Sequence, residues 1–386
     1  MKDARPTVAH LVTPYLFVTG SWIHAQLLHN ARYRAVVVTQ GTENLDTFPF
    51  EPVYDLSHGR SMGQRVRFAA QKYLWGRFPA GPYKDVAARE KVVLLHAHQG
   101  WEGARAVHLR RALGVPIVTS FYGRDATMLP RSAYWRALYA RLFRQGDLFV
   151  AEGMCMGRTL EAIGCPADKI RVVHLGVDLE RIPFAERRPK PSGAATGLIA
   201  ASFREKKGLI YALEALARVA PRWPGLRLRV IGDGPLRGEI ERRIARADLA
   251  GKVDLLGYRN GPAYLEELRN ADFMMAPSVT ASDGDCEGGA PVCLLDAQAA
   301  GLPVLATTHC DVPEVTVPGG SALLAPERDV ARLAENLERL LAHPEEWPAM
   351  GRAGRAHVEA GFDVNRQGER MAELYDDALK LRPRGA

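Results

Sequence analysis

The residues Glu287, Gly288, Gly289, Ala290 and Pro291 lead straight into Val292–Ala300, an apolar stretch of helical spacing closed by Gly301. A Gly-rich loop that opens a helix presents unpaired N–H groups at the positive end of the helix dipole. That combination binds phosphate oxygens, and the glycines let a ligand approach the backbone. Glu287 and Asp296, the latter one turn into the helix, bracket the opening with two carboxylates. Carboxylates accept hydrogen bonds from hydroxyl pairs, so sugar and ribose are fitting targets. Phosphate charge is then left to the backbone and a cation. The segment Ser202-Phe203-Arg204-Glu205-Lys206-Lys207-Gly208 offers Arg204, Lys206 and Lys207 at the start of another helical pattern. A cation there opposes the dipole, and a bound anion would relieve the mismatch. The plainer alternatives are a capping Glu287, a surface Asp296 and a solvated basic loop.

Weaker signals lie in the first half. Thr19, Gly20 and Ser21 precede the helical stretch Trp22–His29, where a Gly-hinged loop could approach phosphates or an acceptor, or Ser21 could simply cap the helix. His96 and His98 stand two apart at a strand end, hence on one face. No third residue stands at a convincing spacing for zinc, so no metal site is expected. His98 is read as a hydrogen-bonding partner for a hydroxyl, or as a satisfied structural histidine. Arg124 and Asp125 follow a strand, where site residues are expected, although Asp125 could cap its own turn. The stretch Met62–Phe78 combines Val66, Ala69, Ala70, Tyr73 and Leu74 with Arg65, Arg67, Lys72 and Arg77. A core-packed helix with a solvated basic face is the favoured reading, and a helix lying on a membrane interface is the other.

The elements that must position these residues alternate. Apolar, β-branched runs at Val36–Thr39, Val92–Leu95, Pro116–Thr119, Leu148–Ala151 and Arg171–His174 recur at Leu198–Ala201, Leu226–Ile231, Val253–Leu256, Phe273–Ala276 and Pro303–Ala306. Most are continuous rather than alternating, which suits strands buried on both faces of a parallel sheet. Helical stretches lie between them, so the class is α/β. The polar, Pro-rich stretch Glu186–Thr196 lacks periodicity and reads as a linker. Residues 1–185 then form one Rossmann-like domain, 186–196 the linker and 197–362 a second such domain. Residues 363–386 read as a helix returning to the first. Ligands of such sheets bind outside the strand C-termini, so a cleft between two facing domains is the expected site.

Bulk properties exclude more than they assign. The 386 residues exceed one ordinary core, and the 47% apolar and 25% charged residues are normal for a globular chain. The sequence has no apolar run of membrane-spanning length, and its N-terminus reads as a first strand rather than a signal peptide. Cys155, Cys165, Cys286, Cys293 and Cys310 form no Cys-x-x-Cys pair, which points to a reducing, cytoplasmic setting. The net charge of +7 is uneven: residues 1–180 hold 23 Lys and Arg against 15 Asp and Glu, the rest 28 against 29. The positive half leaves a peripheral contact with an anionic membrane surface open. No interleaved aromatic–basic motif supports nucleic-acid binding.

The pattern resembles family 4 of the retaining glycosyltransferases. The resemblance rests on His96–Gly100 (HAHQG), Thr119–Asp125 (TSFYGRD), Lys169–Asp178 (KIRVVHLGVD), Glu205–Gly208 with Val230–Pro235 (EKKG, VIGDGP) and Glu287–Val304 (EGGAPVCLLDAQAAGLPV). It implies the GT-B architecture, two facing Rossmann-like, doubly wound parallel-sheet domains with an interdomain cleft. It also implies a nucleotide-diphosphate sugar donor, a hydroxyl acceptor that is a glycan, a lipid-linked sugar or a small molecule, and neither cofactor nor metal. Lys207 resembles the lysine that contacts donor phosphates, with Arg204 beside it and Gly232 on the donor side. Glu287 resembles the first acid of a paired-glutamate motif facing the donor sugar. Asp296 takes the second place, on the ribose hydroxyls. Gly288, Gly289, Ala290, Pro291 and Val292 form the diphosphate loop. His98 and Tyr122 take catalytic places in the first domain.

Three departures stand out. Eight residues rather than seven separate the two acids, and the second is Asp. The family's arginine aligns with Ser202. Tyr122 stands where His is common, and a phenol carries no proton near neutral pH. The resemblance implies a front-face mechanism in which a donor phosphate oxygen takes the acceptor's proton. Two other GT-B chemistries, a nucleotide-sugar epimerase and an inverting transferase, remain as alternatives. A non-catalytic protein that binds a nucleotide or polyanion is the alternative of another class.

Overall fold

The computed structural model describes residues 3–57, 62–190 and 193–381. Pro191 and Ser192 of the expected linker, the last five residues, and the side chains of Arg65 and Arg67 lie outside the described ones. Contacts divide the chain into two compact units, Met1–Gly176 with Val364–Ala386, and Val177–Asp363. The division thus falls ahead of the Pro-rich stretch 186–196. Arg187 is buried in the second unit, where it donates to the carbonyls of Ala271 and Leu268, each at 2.9 Å. The far end of that stretch is already a strand.

Among the described residues the first unit carries seven parallel strands: β1 (Thr7–Leu11), β2 (Arg34–Thr39), β3 (Val53–Asp55), β4 (Val92–His98), β5 (Ile117–Phe121), β6 (Leu148–Ala151) and β7 (Ile170–Val172). Their order is β3-β2-β1-β4-β5-β6-β7. The described residues of the second form six, β8 (Ala195–Ala200), β9 (Leu226–Ile231), β10 (Val253–Gly257), β11 (Phe273–Ala276), β12 (Val304–Thr307) and β13 (Ala322–Ala325), in the order β10-β9-β8-β11-β12-β13. All ladders between these strands are parallel. Both orders reverse once, between β1 and β4 and between β8 and β11. These reversals are the switch points beside which such sheets bind ligands.

Continuous apolar runs form these strands because both faces are covered. Along β11, Phe273 and Met275 join one buried cluster and Met274 and Ala276 the other. The helix Leu209–Val219 fills the first of these with Leu209, Ala212, Leu213, Leu216 and Val219, the spacing of one helical face. In the first sheet Val8 and Leu94 face one way, Ala9 and Leu95 the other. The helix Val364–Lys380 covers the former face, packing Met371, Ala372, Tyr375 and Ala378 against Val8, Leu94 and Val118.

The helix Met62–Tyr73 departs from the favoured reading. Phe68 joins the core, while Val66 (62%), Tyr73 (62%), Leu74 (73%) and the following Trp75 (61%) are exposed. Of the apolar residues expected to pack inward, Ala70 is half-buried, and Val66, Ala69, Tyr73 and Leu74 face solvent. One buried aromatic anchors the helix, and the core beneath it is already filled by Phe78 and Tyr83. No helix among the described residues is long and apolar enough to cross a membrane.

Candidate active site

In the second unit the switch-point strands deliver the two segments that the sequence singles out. β8 runs into the short turn Glu205–Lys207, and β11 into the loop 277–291. Three consecutive residues stitch one loop to the other. Glu205 accepts from the backbone N–H and hydroxyl of Ser282 at 2.9 and 2.6 Å. Lys206 Nζ donates to Asp285 Oδ1 at 3.2 Å and to the Cys286 carbonyl at 2.9 Å. Lys207 Nζ donates to Glu287 Oε2 at 2.8 Å.

Glu287 is 8% exposed, and its second oxygen, Oε1, accepts from Ser278 Oγ at 2.8 Å. Burial disfavours charge on both partners of the Lys207–Glu287 pair, yet each outweighs that cost for the other. Lys207 is held above its ordinary range and Glu287 below its own. Both are therefore ionised near neutral pH. The ammonium has three donors, and this pair uses one.

The helix expected at Val292–Ala300 spans Val292–Ala299, with Pro291 at its N-cap and no side chain capping it. Its opening amides thus keep the anion-binding character of an uncapped N-terminus. Gly288 sits at φ 82°, and the Gly289 carbonyl accepts from the Asp311 amide at 3.1 Å, which pins the loop. Cys293, in the first turn, lies where Lys207, Asp296 and Glu287 all act on its ionisation. Burial pushes that thiol up to about 12, so it is neutral. Lys207, Glu287, Asp296 and the helix opening are one neighbourhood.

Asp296 Oδ2 accepts from the Tyr264 hydroxyl at 2.9 Å. Desolvation pushes Asp296 up to about 6, against the lowering effects of that hydrogen bond and of Arg181. Gly232, at φ 130°, follows β9, and a Cβ there would lie 1.9 Å from the Ala201 carbonyl oxygen. Arg204 is exposed and its guanidinium has no hydrogen bond among the described residues.

The first unit gathers a different chemistry at its own switch point. His10 on β1 is in register with His96 on β4. His10 Nδ1 meets His98 Nε2 at 2.9 Å, and His98 Nδ1 meets the Tyr122 hydroxyl at 2.7 Å. His96 bridges Tyr375 Oη at 2.6 Å and Ser120 Oγ at 2.8 Å. A third histidine therefore does stand beside His96 and His98, contrary to the reading from spacing, because an adjacent strand supplies it. All three are buried. Desolvation lowers His10 to about 3 and His96 and His98 well below the ordinary range, so the rings are neutral.

The remaining expected residues are placed as follows. Asp125 is buried, and its carboxylate accepts from the amides of Gly100 at 2.8 Å and Tyr122 at 3.0 Å, an anchor for two loops. Arg124 is exposed. Gly20 is the N-cap of the helix Ser21–Leu28, so Ser21 is its first residue rather than its cap. Thr19 and Ser21 are exposed.

Known proteins match this arrangement along most of the chain. The family profile described as Glycosyltransferase Family 4 matches residues 5–181, and that of Glycosyl transferases group 1 matches residues 195–343. The AmsK amylovoran biosynthesis glycosyltransferase of Erwinia amylovora is 34% identical over 281 residues, 72% of this chain and 69% of that protein.

The chain belongs to glycosyltransferase family 4.

The WcaL glycosyltransferase of Salmonella typhimurium, named for colanic acid biosynthesis, is 36% identical over 245 residues. That match spans 62% of this glycosyltransferase and 59% of the relative. The Anabaena HepE protein, solved in complex with UDP, superposes with a TM-score of 0.77 over 96% of this chain and 100% of its own, at 16% identity. At that identity the likeness is one of fold, and the fold is the GT-B type expected.

Sequence reasoning missed several residues that hold the candidate groups of each unit in place. Ser278 and His309 grip Glu287, the latter accepting its backbone N–H on Nε2 at 3.1 Å. Tyr264 holds Asp296, and His10 holds His98. Ser278 lies in the same loop as Glu287, the other three come from elements distant in sequence, and none carries a local motif.

Proposed function

We propose that this glycosyltransferase moves a sugar from a nucleotide-diphosphate donor to a hydroxyl acceptor with retention of configuration, and does so without a metal ion. The observation that carries the reading is the ionised Lys207–Glu287 pair beside the uncapped opening of the helix Val292–Ala299. Lys207 and the opening amides face the leaving diphosphate and stabilise the charge that grows as the C1–O bond breaks. Glu287 takes donor-sugar hydroxyls, and Asp296 those of the ribose. The new bond to the acceptor oxygen forms on the same face of C1, and the acceptor's proton passes to a phosphate oxygen. The neutral, buried histidines of the first unit support a role for His98 and Tyr122 as hydrogen-bond partners of hydroxyls rather than as proton carriers. The HepE complex supports a uridine donor, and the relatives named for colanic acid and amylovoran biosynthesis support a growing polysaccharide as acceptor.

A panel of UDP-, GDP-, ADP- and TDP-sugars, scored for binding and slow hydrolysis in EDTA, tests the reading. One base class binds and is hydrolysed in the chelator. Strict dependence on an added divalent ion removes the metal-free mechanism. An inverted product removes retention.

A second element of the proposal is peripheral contact with an anionic bilayer at its cytoplasmic face. Leu74 and Trp75 stand exposed beside Lys72 and Arg77, apolar tips among cations, as interfacial segments are built. Co-sedimentation with anionic vesicles, lost in Leu74→Ser/Trp75→Ser and with zwitterionic lipid, is the expected result. Equal recovery with both lipids rules the contact out.

A further inference from the structure

The residue before Glu287 belongs to another cluster of chemistry. Cys286, His309 and Cys310 each offer one ligand atom, and these atoms lie within 4.8 Å of one another. Cys310 Sγ is 3.2 Å from His309 Nε2. We propose that these three residues form a binding site for a soft divalent cation of the Zn2+ class, and that its occupancy inhibits donor binding.

Three observations carry this. The ligand types are those of a Cys2His zinc set, which leaves a fourth position for water. Tetrahedral Zn2+ with these ligands needs donor atoms about 3.5–3.8 Å apart, so shifts of about 1 Å, including a slight widening of the His309–Cys310 pair, complete the site. His309 is also oriented as a ligand. Its Nδ1 meets Glu327 Oε1 at 2.6 Å, and Glu327 is itself held by the Thr280 amide at 2.8 Å. A carboxylate on one ring nitrogen leaves the other as the electron-pair donor and raises its basicity, the usual outer shell of a metal-bound histidine.

Cys310 supplies the third observation. Its φ is 45°, in the left-handed region where glycine costs nothing and a side chain costs about 1 kcal/mol or more. A thiol kept at a glycine position, directly against the lone pair of an oriented histidine, has a use there. Cys310 is partly exposed, whereas Cys286 and His309 are buried, so it also provides the way in.

The link to the donor site is a single electron pair. His309 Nε2 accepts the Glu287 backbone N–H at 3.1 Å. A ring nitrogen has one lone pair, so a cation taken there removes the acceptor of the Glu287 amide. Each coordinating thiol gives its proton to solvent, and the loop carrying Glu287 loses one anchor while Lys207 and Ser278 still hold its carboxylate.

Co2+ is the probe, because cobalt bound to thiolate absorbs in the near ultraviolet and cobalt bound to histidine alone does not. The purified, thiol-reduced full chain takes up one equivalent with that absorption, and Zn2+ displaces it. Cys310→Gly, which suits the backbone, and Cys286→Ser each leave one thiolate, so the absorption falls to about half or less and Zn2+ binding weakens roughly tenfold or more. No thiolate absorption in the parent at stoichiometric Co2+, or absorption equal to the parent's in either variant, overturns the site. The inhibitory half rests on the donor-site reading and is measured separately. Zn2+ weakens nucleotide binding in the parent and not in Cys310→Gly. Cobalt bound to the cysteines with unchanged nucleotide affinity overturns that half alone.

Discussion

A Cβ on Gly208 would lie 1.8 Å from the carbonyl oxygen of Pro277. Gly208 adopts φ 65°, and the Val279 amide donates to the Lys206 carbonyl at 2.8 Å beside it. The two switch-point loops therefore touch backbone to backbone, and this approach brings Lys207 within reach of Glu287. Gly208→Ala combines a left-handed alanine with a steric overlap that only backbone movement relieves. We expect a loss of about 2–4 kcal/mol in urea unfolding, with nucleotide affinity falling further than in other variants of equal stability. An unchanged affinity would show that the loop contact does not position the site.

Removing one member of the Lys207–Glu287 pair leaves the other charged and largely buried, at 19% and 7% side-chain exposure. Lys207→Met or Glu287→Met alone should cost about 3–5 kcal/mol of stability. The double variant should recover most of that loss, since neither charge is stranded. Transfer should drop by about 10²–10³ in all three. Recovery of stability without recovery of rate separates the chemical role of the pair from its structural one. Rates that follow stability would make the pair merely structural.

Acid should destabilise the first unit through its three histidines. The folded state holds His10 at about 3, and His96 and His98 also far below their unfolded values near 6.5. Between those values the unfolded chain binds protons that the folded chain does not. Stability is thus fully present above about pH 6.5 and falls as pH drops, by up to about 1.4 kcal/mol per pH unit for each histidine. His10→Gln should flatten the difference between urea curves at pH 7.5 and 5.5, whatever its stability at pH 7.5. A slope equal to the parent's contradicts the neutral cluster.

Asp296 should impose its own pH dependence on nucleotide binding. Its carboxyl stands at about 6, and only the ionised form accepts from a ribose hydroxyl pair with both oxygens. Affinity should weaken as pH falls through about 6. Tyr264→Phe removes the hydrogen bond that lowers this value, so the midpoint moves to higher pH. Calorimetric titration of the nucleotide from pH 5 to 8 checks both. A midpoint that stays in place places Asp296 outside the ribose contact.

Much of this architecture is legible along the chain because parallel strands buried on both faces need continuous apolar runs, and these stand out at Leu198–Ala201, Leu226–Ile231 and Phe273–Ala276. The missed strands, β3 and β13, are three and four residues long, and neither has a run of β-branched residues. The helix Met62–Tyr73 misled because periodicity reveals that a stripe exists, not whether the core has room for it. Among the described side chains of that helix, Phe68 alone is buried.

The candidate site divides in the same way. Sequence alone determined the Gly-rich helix opening, its two acids and the basic turn, because local spacing decides which groups share a loop or a helix end. Tertiary structure alone decided that Lys207 faces Glu287, that Tyr264 and His309 hold the two acidic positions, and that His10 completes a histidine cluster. It also set the neighbours His309 and Cys310 against Cys286. Strand order brought those residues together, and strand order follows from how crossover helices pack on a sheet, which no short stretch of residues records.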